Sequence, residues 1–437
     1  MVLRIQKHKE NRIFRLYLLA MFVLMVARYL VGIDIPAIAF LAVTLLPTWF
    51  GTKSEQLAMV ASCIPLSVAF QYKYALLILS VAILIRNHWK VNRSGAIMLV
   101  MAMAIWELWH AFYGRFDYVE YLRDFAELIL LGIVLSTDLY ELDYKLVIRG
   151  LAISVVGVCV IMLVMQMRQF DYNIIAVFAR SAHSFRFGQS NMESGVFALN
   201  FNANDLGFIC NLAGCGILLL ASRREHKRTD IILVICTSVF ALMTLSRAAI
   251  LCLFVIFLAY VALSDGEVVQ KIITGFSAIF LFVVICLLVW AYVPAIFENL
   301  FERFQRSDVS GGRNSLFLYY GQFILSSPSN FLFGVGMQQI FEKVSPYFPV
   351  HDVPHMGIQE VWVVWGCVGI VMLVMLFAKI VTVSKQYAHG RRKLYQFMPF
   401  FLTLIYTSSG QLLTSSRALM ALIVSYVCLC IRSYDKE

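Results

Sequence analysis

Residues 356–378 read MGIQEVWVVWGCVGIVMLVMLFA, and this stretch decides the fold. It holds one charged side chain, Glu360, and about 20 consecutive apolar residues suffice to cross the hydrocarbon core of a bilayer as a helix. The whole chain has the same character, because 61% of its 437 residues are hydrophobic and 14% are charged. Soluble domains hold about 45–50% apolar and about 25% charged residues. The composition therefore excludes a soluble enzyme, a disordered chain and an ordinary nucleic-acid-binding module.

Further apolar runs, bounded by charges or by Gly and Pro, extend this pattern along the chain. The fourteen predicted spans are 13–31, 35–50, 56–70, 72–86, 94–112, 119–136, 146–165, 196–220, 230–245, 247–263, 271–293, 356–378, 397–413 and 417–432. They predict an all-α polytopic membrane protein, a single integral membrane domain over residues 1–437. Two longer loops remain, residues 166–195 and residues 294–355, and the second separates the eleventh and twelfth spans. Structureless loops of that length are uncommon unless they are functional.

The distribution of Lys and Arg predicts the orientation of the chain. If the N-terminus is cytoplasmic, the short cytoplasmic loops hold 21 Lys and Arg, and the short loops on the other face hold 4. Because cytoplasmic loops collect positive charge, we expect both termini in the cytoplasm and both long loops outside it. This bias is also the first explanation of the net charge of +10, so the charge does not indicate a nucleic-acid partner.

A small set of arginines lies on the predicted outer face, against the charge bias. Arg is suited to phosphate, since its planar guanidinium offers paired donors and stays charged. The set therefore indicates a pocket for an anionic headgroup such as a lipid-linked pyrophosphate, although each Arg taken alone is better explained by reaching to the interface or pairing with a carboxylate. The main candidates are Arg186, Arg247, Arg313 and Arg303.

Two further side chains near the twelfth span could take part in catalysis. His355 lies just before it, and an imidazole can accept a proton near neutral pH; an interfacial His bonded to backbone is the alternative. Glu360 lies inside the apolar run, where a carboxylate is costly and is a functional candidate by default; orienting an Arg or a helix is the alternative. No third ligand stands at convincing spacing from His351 and His355, so no metal site is expected.

Two polar groups lie beside other spans. Asn202 and Asn204 open the eighth span, where they could cap the helix or bind sugar hydroxyls. Charged residues also cluster around the predicted outer turn between the fifth and sixth spans, and mutual charge pairing is favoured there over a polar cavity. That cluster is Glu107, His110, Arg115, Asp117, Arg123, Asp124 and Glu127. The Gly334-Val335-Gly336 sequence does not follow a strand, and it predicts a turn between two helices of the large loop.

Taken in order, several short motifs resemble the O-antigen polymerase and O-antigen ligase superfamily of bacterial envelope polysaccharide enzymes. The resemblance covers roughly residues 180 to 380 and fits the whole hydropathy profile. Four pieces carry it: Arg186-Phe187-Gly188 through Asn202-Ala203-Asn204; Leu245-Ser246-Arg247-Ala248-Ala249; Gly312-Arg313 with Pro328 and Gly334-Val335-Gly336; and His355 followed by Gly366 and Gly369. Ligases usually place Asn, Ser or Gln after the His, whereas Met356 follows it here, and this difference favours a polymerase.

The resemblance implies a metal-independent glycosyltransferase with a GT-C-like, all-helical membrane fold and no cofactor. Its donor would be a polyprenyl-pyrophosphate-linked oligosaccharide, used on the outer side of the bacterial cytoplasmic membrane. The leaving pyrophosphate would be stabilised by Arg186, Arg247 and Arg313, with Arg303 as a further candidate. His355 would take the proton of the acceptor hydroxyl. Glu360 would position the His or an Arg. Membrane lipid, a chain-length regulator and a flippase are the expected partners.

Two alternatives remain open from the sequence. A ligase that transfers lipid-linked glycan to lipid A core uses the same kind of donor, so the arginines do not separate it from a polymerase. A lipid-linked oligosaccharide flippase or other transporter belongs to a different class and would carry charges along a central cavity in both leaflets. The notable charges here lie at the outer end, which disfavours transport.

Overall fold

The protein is described by a computed structural model. The residues it describes are 11–86, 89–91, 95–110, 112, 114, 117–139, 142–169, 171–173, 199, 201–222, 227–263, 313–350, 353–384, 391–408, 410–413 and 415–431, with isolated helical positions between 269 and 298.

Within those residues the secondary structure is helical, and the only β-pairing is an isolated bridge between Val91 and Thr137. The predicted all-α class is therefore confirmed. The α-helices are α1 (Arg12–Met25), α2 (Ala37–Phe50), α3 (Lys53–Leu66), α4 (Lys73–Arg86), α5 (Gly95–His110), α6 (Tyr118–Leu135), α7 (Tyr144–Gln169), α8 (Ala203–Ser222), α9 (Arg228–Met243), α10 (Arg247–Leu263), α11 (Arg313–Leu325), α12 (Pro328–Leu332), α13 (Ile340–Val344), α14 (Gly357–Ser384), α15 (Arg391–Gln396), α16 (Met398–Ser408) and α17 (Ser416–Leu429).

Among the described residues, four helices are long and apolar enough to cross a membrane. They cover Arg12–Val31, in which a π-helical turn continues α1, and Tyr144–Arg168, Ala203–Ser222 and Gly357–Thr382. Shorter apolar helices include α2, α5, α10 and the last helix. These helices indicate a membrane protein, whereas the count of 14 spans, the inner membrane and the orientation of the termini stay predictions. The eleventh predicted span, residues 271–293, lies mostly outside the described residues.

The chain divides into two compact units, each drawn from three stretches. The first unit holds Met1–Gln71, Asp143–Val309 and Gly390–Leu402, and the second holds Tyr72–Leu142, Ser310–His389 and Thr403–Glu437. Each therefore contains helices that are far apart in sequence. The sequence-based prediction of one integral membrane domain over residues 1–437 does not include this division into two units.

An ion pair joins two helices of the first unit. Arg149 on α7 forms a bidentate ion pair with Asp230 in the first turn of α9. Its Nε donates to Oδ1 at 3.0 Å, and its Nη2 donates to Oδ2 at 2.8 Å. Asp230 is buried, and it also accepts the backbone N–H of Lys227. The planar guanidinium matches a carboxylate in this way, so the pair fixes α7 against the start of α9.

The second unit contains most of what is described of the predicted large loop, residues 294–355. From residue 313 onward that segment is largely helical, since α11, α12, a 3-10 turn at Met337–Gln339 and α13 follow one another. Gly334-Val335-Gly336 lies between α12 and the 3-10 turn, as the sequence predicts. Both glycines have positive φ, +76° and +85°, a backbone region that side chains with a Cβ rarely enter.

Candidate functional site

His355 lies immediately before α14 in the second unit. Pro354 precedes it and disfavours helical conformation at Val353, and α14 begins at Gly357. The N–H of Glu360 donates to the carbonyl of Met356 at 2.8 Å, which begins the helical hydrogen bonding. His355 is partly exposed there, next to a rigid helix start.

Glu360 is fully buried one turn into α14, and it binds a turn of backbone. Its Oε2 accepts the N–H groups of Leu412 and Leu413, at 2.5 and 3.0 Å. These residues belong to the connection between α16 and α17. Gly357 allows the approach, because a Cβ at this position would stand 2.8 Å from the Cβ of Leu412. Glu360 thus positions the segment leading into α17, whose second residue is Arg417.

Arg313 is the first residue of α11, a helix that packs beside the start of α14. The side-chain amide of Gln359 donates to the carbonyl of Phe317 at 2.7 Å, and Phe317 lies one turn after Arg313. Further along, the Trp362 indole donates at 3.1 Å to the carbonyl of Phe331, a residue of α12. Arg313 thus begins α11 and His355 precedes α14, and the Gln359 contact joins these two helices.

Gly366 interrupts α14, because its backbone leaves the helical region, with φ 64° and ψ −158°. A break of this kind displaces the N–H groups that would serve the preceding carbonyls. The carbonyls of Val363 and Val364 instead accept the N–H groups of Val335 and Gly336, at 2.9 and 2.8 Å. The segment between α12 and α13 thus completes the hydrogen bonding of the broken helix.

Glu107, near the C-terminal end of α5, is a polar centre whose partners the sequence did not reveal. It is buried, and its two oxygens accept the Met337 N–H at 2.8 Å and the Trp365 indole N–H at 2.7 Å. His110, one turn on, has its ring nitrogens 2.9 Å from the Trp106 carbonyl and 3.1 Å from the Phe333 carbonyl. Neutral imidazole has one N–H, so both contacts are hydrogen bonds only when the ring carries two protons.

Charge pairing, predicted for the cluster around Glu107, is confirmed for part of it. Lys73 on α4 approaches Asp124 on α6 at 2.6 Å, and Arg123 approaches Glu120 at 2.7 Å. For Glu107 the hydrogen-bond donors are instead a backbone N–H and an indole. The sequence shows Glu107 as a carboxylate within an apolar run, but no neighbouring residue in the sequence identifies its hydrogen-bond donors.

We expect Glu107→Leu to destabilise the second unit more than any surface substitution. It would leave the N–H of Met337 and the indole N–H of Trp365 buried without acceptors, and each such group costs about 1–3 kcal/mol. The measurement is the thermal unfolding midpoint of purified protein in detergent. The control is Glu120→Leu, which removes only a half-exposed ion pair; equal midpoints for the two variants would contradict this role of Glu107.

The sugar-binding candidates lie in the first unit, together with Arg247. Asn202 accepts the N–H of Asn204 at 2.9 Å, which is a capping contact at the start of α8. Asn204 in turn accepts the hydroxyl of Ser246 at 2.8 Å. Ser246 follows Leu245, whose φ of +49° marks a sharp turn, and precedes Arg247. Asn204 thus fixes the turn that places Arg247 at the start of α10.

Of the eight predicted site residues, the structure places three in each unit. His355, Glu360 and Arg313 belong to the second unit, and Asn202, Asn204 and Arg247 belong to the first. Arg186 and Arg303 lie outside the described residues. Within the described part of the chain, no group of three or more His, Cys, Asp or Glu residues could hold a metal ion.

Comparison with protein families finds no family model that matches the chain. Comparison with curated proteins likewise finds no match.

Proposed function

We propose that the chain is a polysaccharide polymerase, a metal-independent glycosyltransferase of the bacterial cytoplasmic membrane. It would join polyprenyl-pyrophosphate-linked oligosaccharide repeat units on the outer face of that membrane. The observation that carries the proposal is the placement of His355 and Arg313 at the ends of two helices that Gln359 joins. His355 and Arg313 each lie four residues before the Gln359–Phe317 contact, and a proton acceptor and a permanent cation are two groups that support displacement of a pyrophosphate.

The proposed reaction uses His355 as the general base. The imidazole takes the proton of an acceptor sugar hydroxyl while the oxygen of that hydroxyl forms a bond to the anomeric carbon of the donor. The bond from that carbon to the pyrophosphate oxygen breaks, and the electron pair leaves with the polyprenyl pyrophosphate. Arg313 would stabilise the negative charge that develops there, since preorganised cations act most strongly where charge forms in the transition state.

The remaining candidates take supporting roles in the proposal. In the first unit, Asn204 fixes the turn that precedes Arg247, so Arg247, Asn202 and Asn204 form a separate group of candidates for contact with phosphate and sugar hydroxyls. Glu360 would be a positioning residue, because it holds the connection between α16 and α17. A chain-length regulator and a flippase are the proposed partners of such an enzyme.

Surface glycan from a strain that lacks this chain provides the test. We expect loss of the polymer ladder with single repeats retained, and restoration of the ladder by the native gene. Accumulation of free lipid-linked polymer would show the ligase instead. Purified protein in detergent, given lipid-linked repeats, should lengthen them; a preparation that binds these lipids without lengthening them would overturn the proposal and favour transport.

A further inference from the structure

The segment from Asn314 to Phe341 is free of charged residues although it falls in the predicted extracytoplasmic loop. It contains no Asp, Glu, Lys, Arg or His, and it is bordered by Arg313 on one side and by Glu342 and Lys343 on the other. Loops in water are normally rich in polar and charged residues. A charge-free run with charges at both borders is typical of chain that lies in lipid.

Large apolar side chains of this segment are exposed on the surface of the second unit. Leu318 and Leu325 on α11 are 60% and 74% exposed, whereas Tyr320 and Phe323 of the same helix are buried. Contiguous exposed apolar side chains mark a surface that contacts protein or a membrane, and the exposed polar residues of α11, Asn314, Ser315 and Gln322, are uncharged. The exposed large apolar members of the segment are Phe317, Leu318, Leu325, Leu332, Phe333 and Phe341.

The irregular backbone between α12 and α13 meets the requirement that lipid imposes. Non-helical backbone at membrane depth is tolerated only where protein supplies its hydrogen bonds. Here the carbonyls of Phe331 and Phe333 face the Trp362 indole and the His110 ring. The N–H groups of Val335 and Gly336 donate to α14, and that of Met337 donates to Glu107. Side chains and backbone of α5 and α14 thus take the place that water has in an ordinary loop.

The exposed apolar surface of the segment is continuous with that of a predicted membrane span. The ring of Phe333 lies 6.0 Å, centroid to centroid, from Trp106 in the last two turns of α5. On that helix Ile105 and Trp109, the neighbours of Trp106 and His110, are themselves exposed. The exposed apolar surface of α5 therefore continues onto the segment.

We infer that residues 314–341 form a re-entrant segment seated in the bilayer leaflet around the C-terminal end of α5, with lipid acyl chains covering its apolar side chains. The segment enters as α11, turns at Ser326 to Pro328, and returns through Gly334-Val335-Gly336 to Glu342. This places the region of the chain that follows Arg313 in lipid and not in an aqueous loop. The inference concerns membrane contact and does not depend on the proposed reaction.

Spin labels at exposed positions test this directly. The native cysteines are replaced, and single cysteines introduced as Leu318→Cys or Leu325→Cys are labelled with a nitroxide in liposomes. We expect collisions with oxygen to exceed collisions with a water-soluble nickel chelate at both positions, as at the matched lipid control Val374→Cys, since Val374 on α14 is also 60% exposed. The aqueous control Glu342→Cys should show the reverse.

Two outcomes would overturn the inference. Nickel collisions at Leu318 and Leu325 as frequent as at Glu342 would place the segment in water. Collisions with neither reagent would show that protein, either a second copy or a partner, covers it. The unmodified chain gives a second measurement, free of any effect of the substitutions: a carbene generated among the acyl chains should label 314–341 as strongly as 367–382, and several-fold more than 342–350.

Discussion

Replacing His355 with Ala is expected to lower the rate at which purified protein lengthens lipid-linked repeats by about 100-fold or more, because removal of a general base costs about 10²–10⁴ in rate. The acceptor hydroxyl would then have to lose its proton to water. His355 is partly exposed and lies before α14, so the substitution leaves the Gln359 and Glu360 contacts in place. The measurement is the initial rate of elongation, with donor and acceptor saturating.

A matched control separates loss of the base from loss of folding. Arg123→Gln changes a partly exposed, charged residue of the same unit that pairs with Glu120 and has no part in the proposed reaction, so its rate should equal that of the native protein. The thermal midpoints of both variants should also match the native value. Full elongation by His355→Ala with an unchanged midpoint would remove His355 from the mechanism.

Replacing Arg313 with Ala is expected to reduce the elongation rate by about 10²–10³, the effect of removing one preorganised group that stabilises developing charge. Arg313→Lys should recover part of the rate, since an ammonium keeps the charge but lacks the planar pair of donors. The measurement is elongation together with the affinity for the lipid-linked donor. The loss should appear mainly in the maximal rate, because the charge on the pyrophosphate increases as the bond breaks.

An arginine that only anchors the helix at the membrane interface would give a different result for the Lys and Ala variants of Arg313. If Arg313 only anchors the start of α11 at the membrane interface, Lys should replace it fully, because both side chains reach the interface in the same way. Equal elongation by the native protein and the Lys variant, with a lowered thermal midpoint for the Ala variant, would therefore contradict a role at the pyrophosphate.

Many helix boundaries follow from hydrophobic runs alone. The sixth predicted span, 119–136, corresponds to Tyr118–Leu135, and the tenth, 247–263, corresponds to Arg247–Leu263. Larger differences occur where tertiary contacts end a helix early. The thirteenth run extends to residue 413, yet α16 ends at Ser408, because Leu412 and Leu413 give their N–H groups to Glu360 instead.

The candidate site was only partly accessible to sequence reasoning. Residue type singled out His355, Arg313 and Glu360, since charge at the edge of an apolar run is unusual. It did not indicate that Glu360 accepts two backbone N–H groups, nor that Gln359 joins α14 to α11. Gln359 carries no charge and forms no motif, so nothing in the order of residues distinguished it from an ordinary polar neighbour.

The sequence by itself determined that the chain is helical and rich in lipid-compatible segments, because about 20 apolar residues satisfy their own backbone within one helix and need no distant partner. Only the tertiary structure decided how a broken helix and a buried carboxylate find their hydrogen-bond partners. The break at Gly366 depends on the N–H groups of Val335 and Gly336. The carboxylate of Glu107 depends on the N–H of Met337 and the indole of Trp365, both more than two hundred residues away in sequence. A buried polar group must find a partner, but which one it meets is set by packing between helices that are remote in the chain.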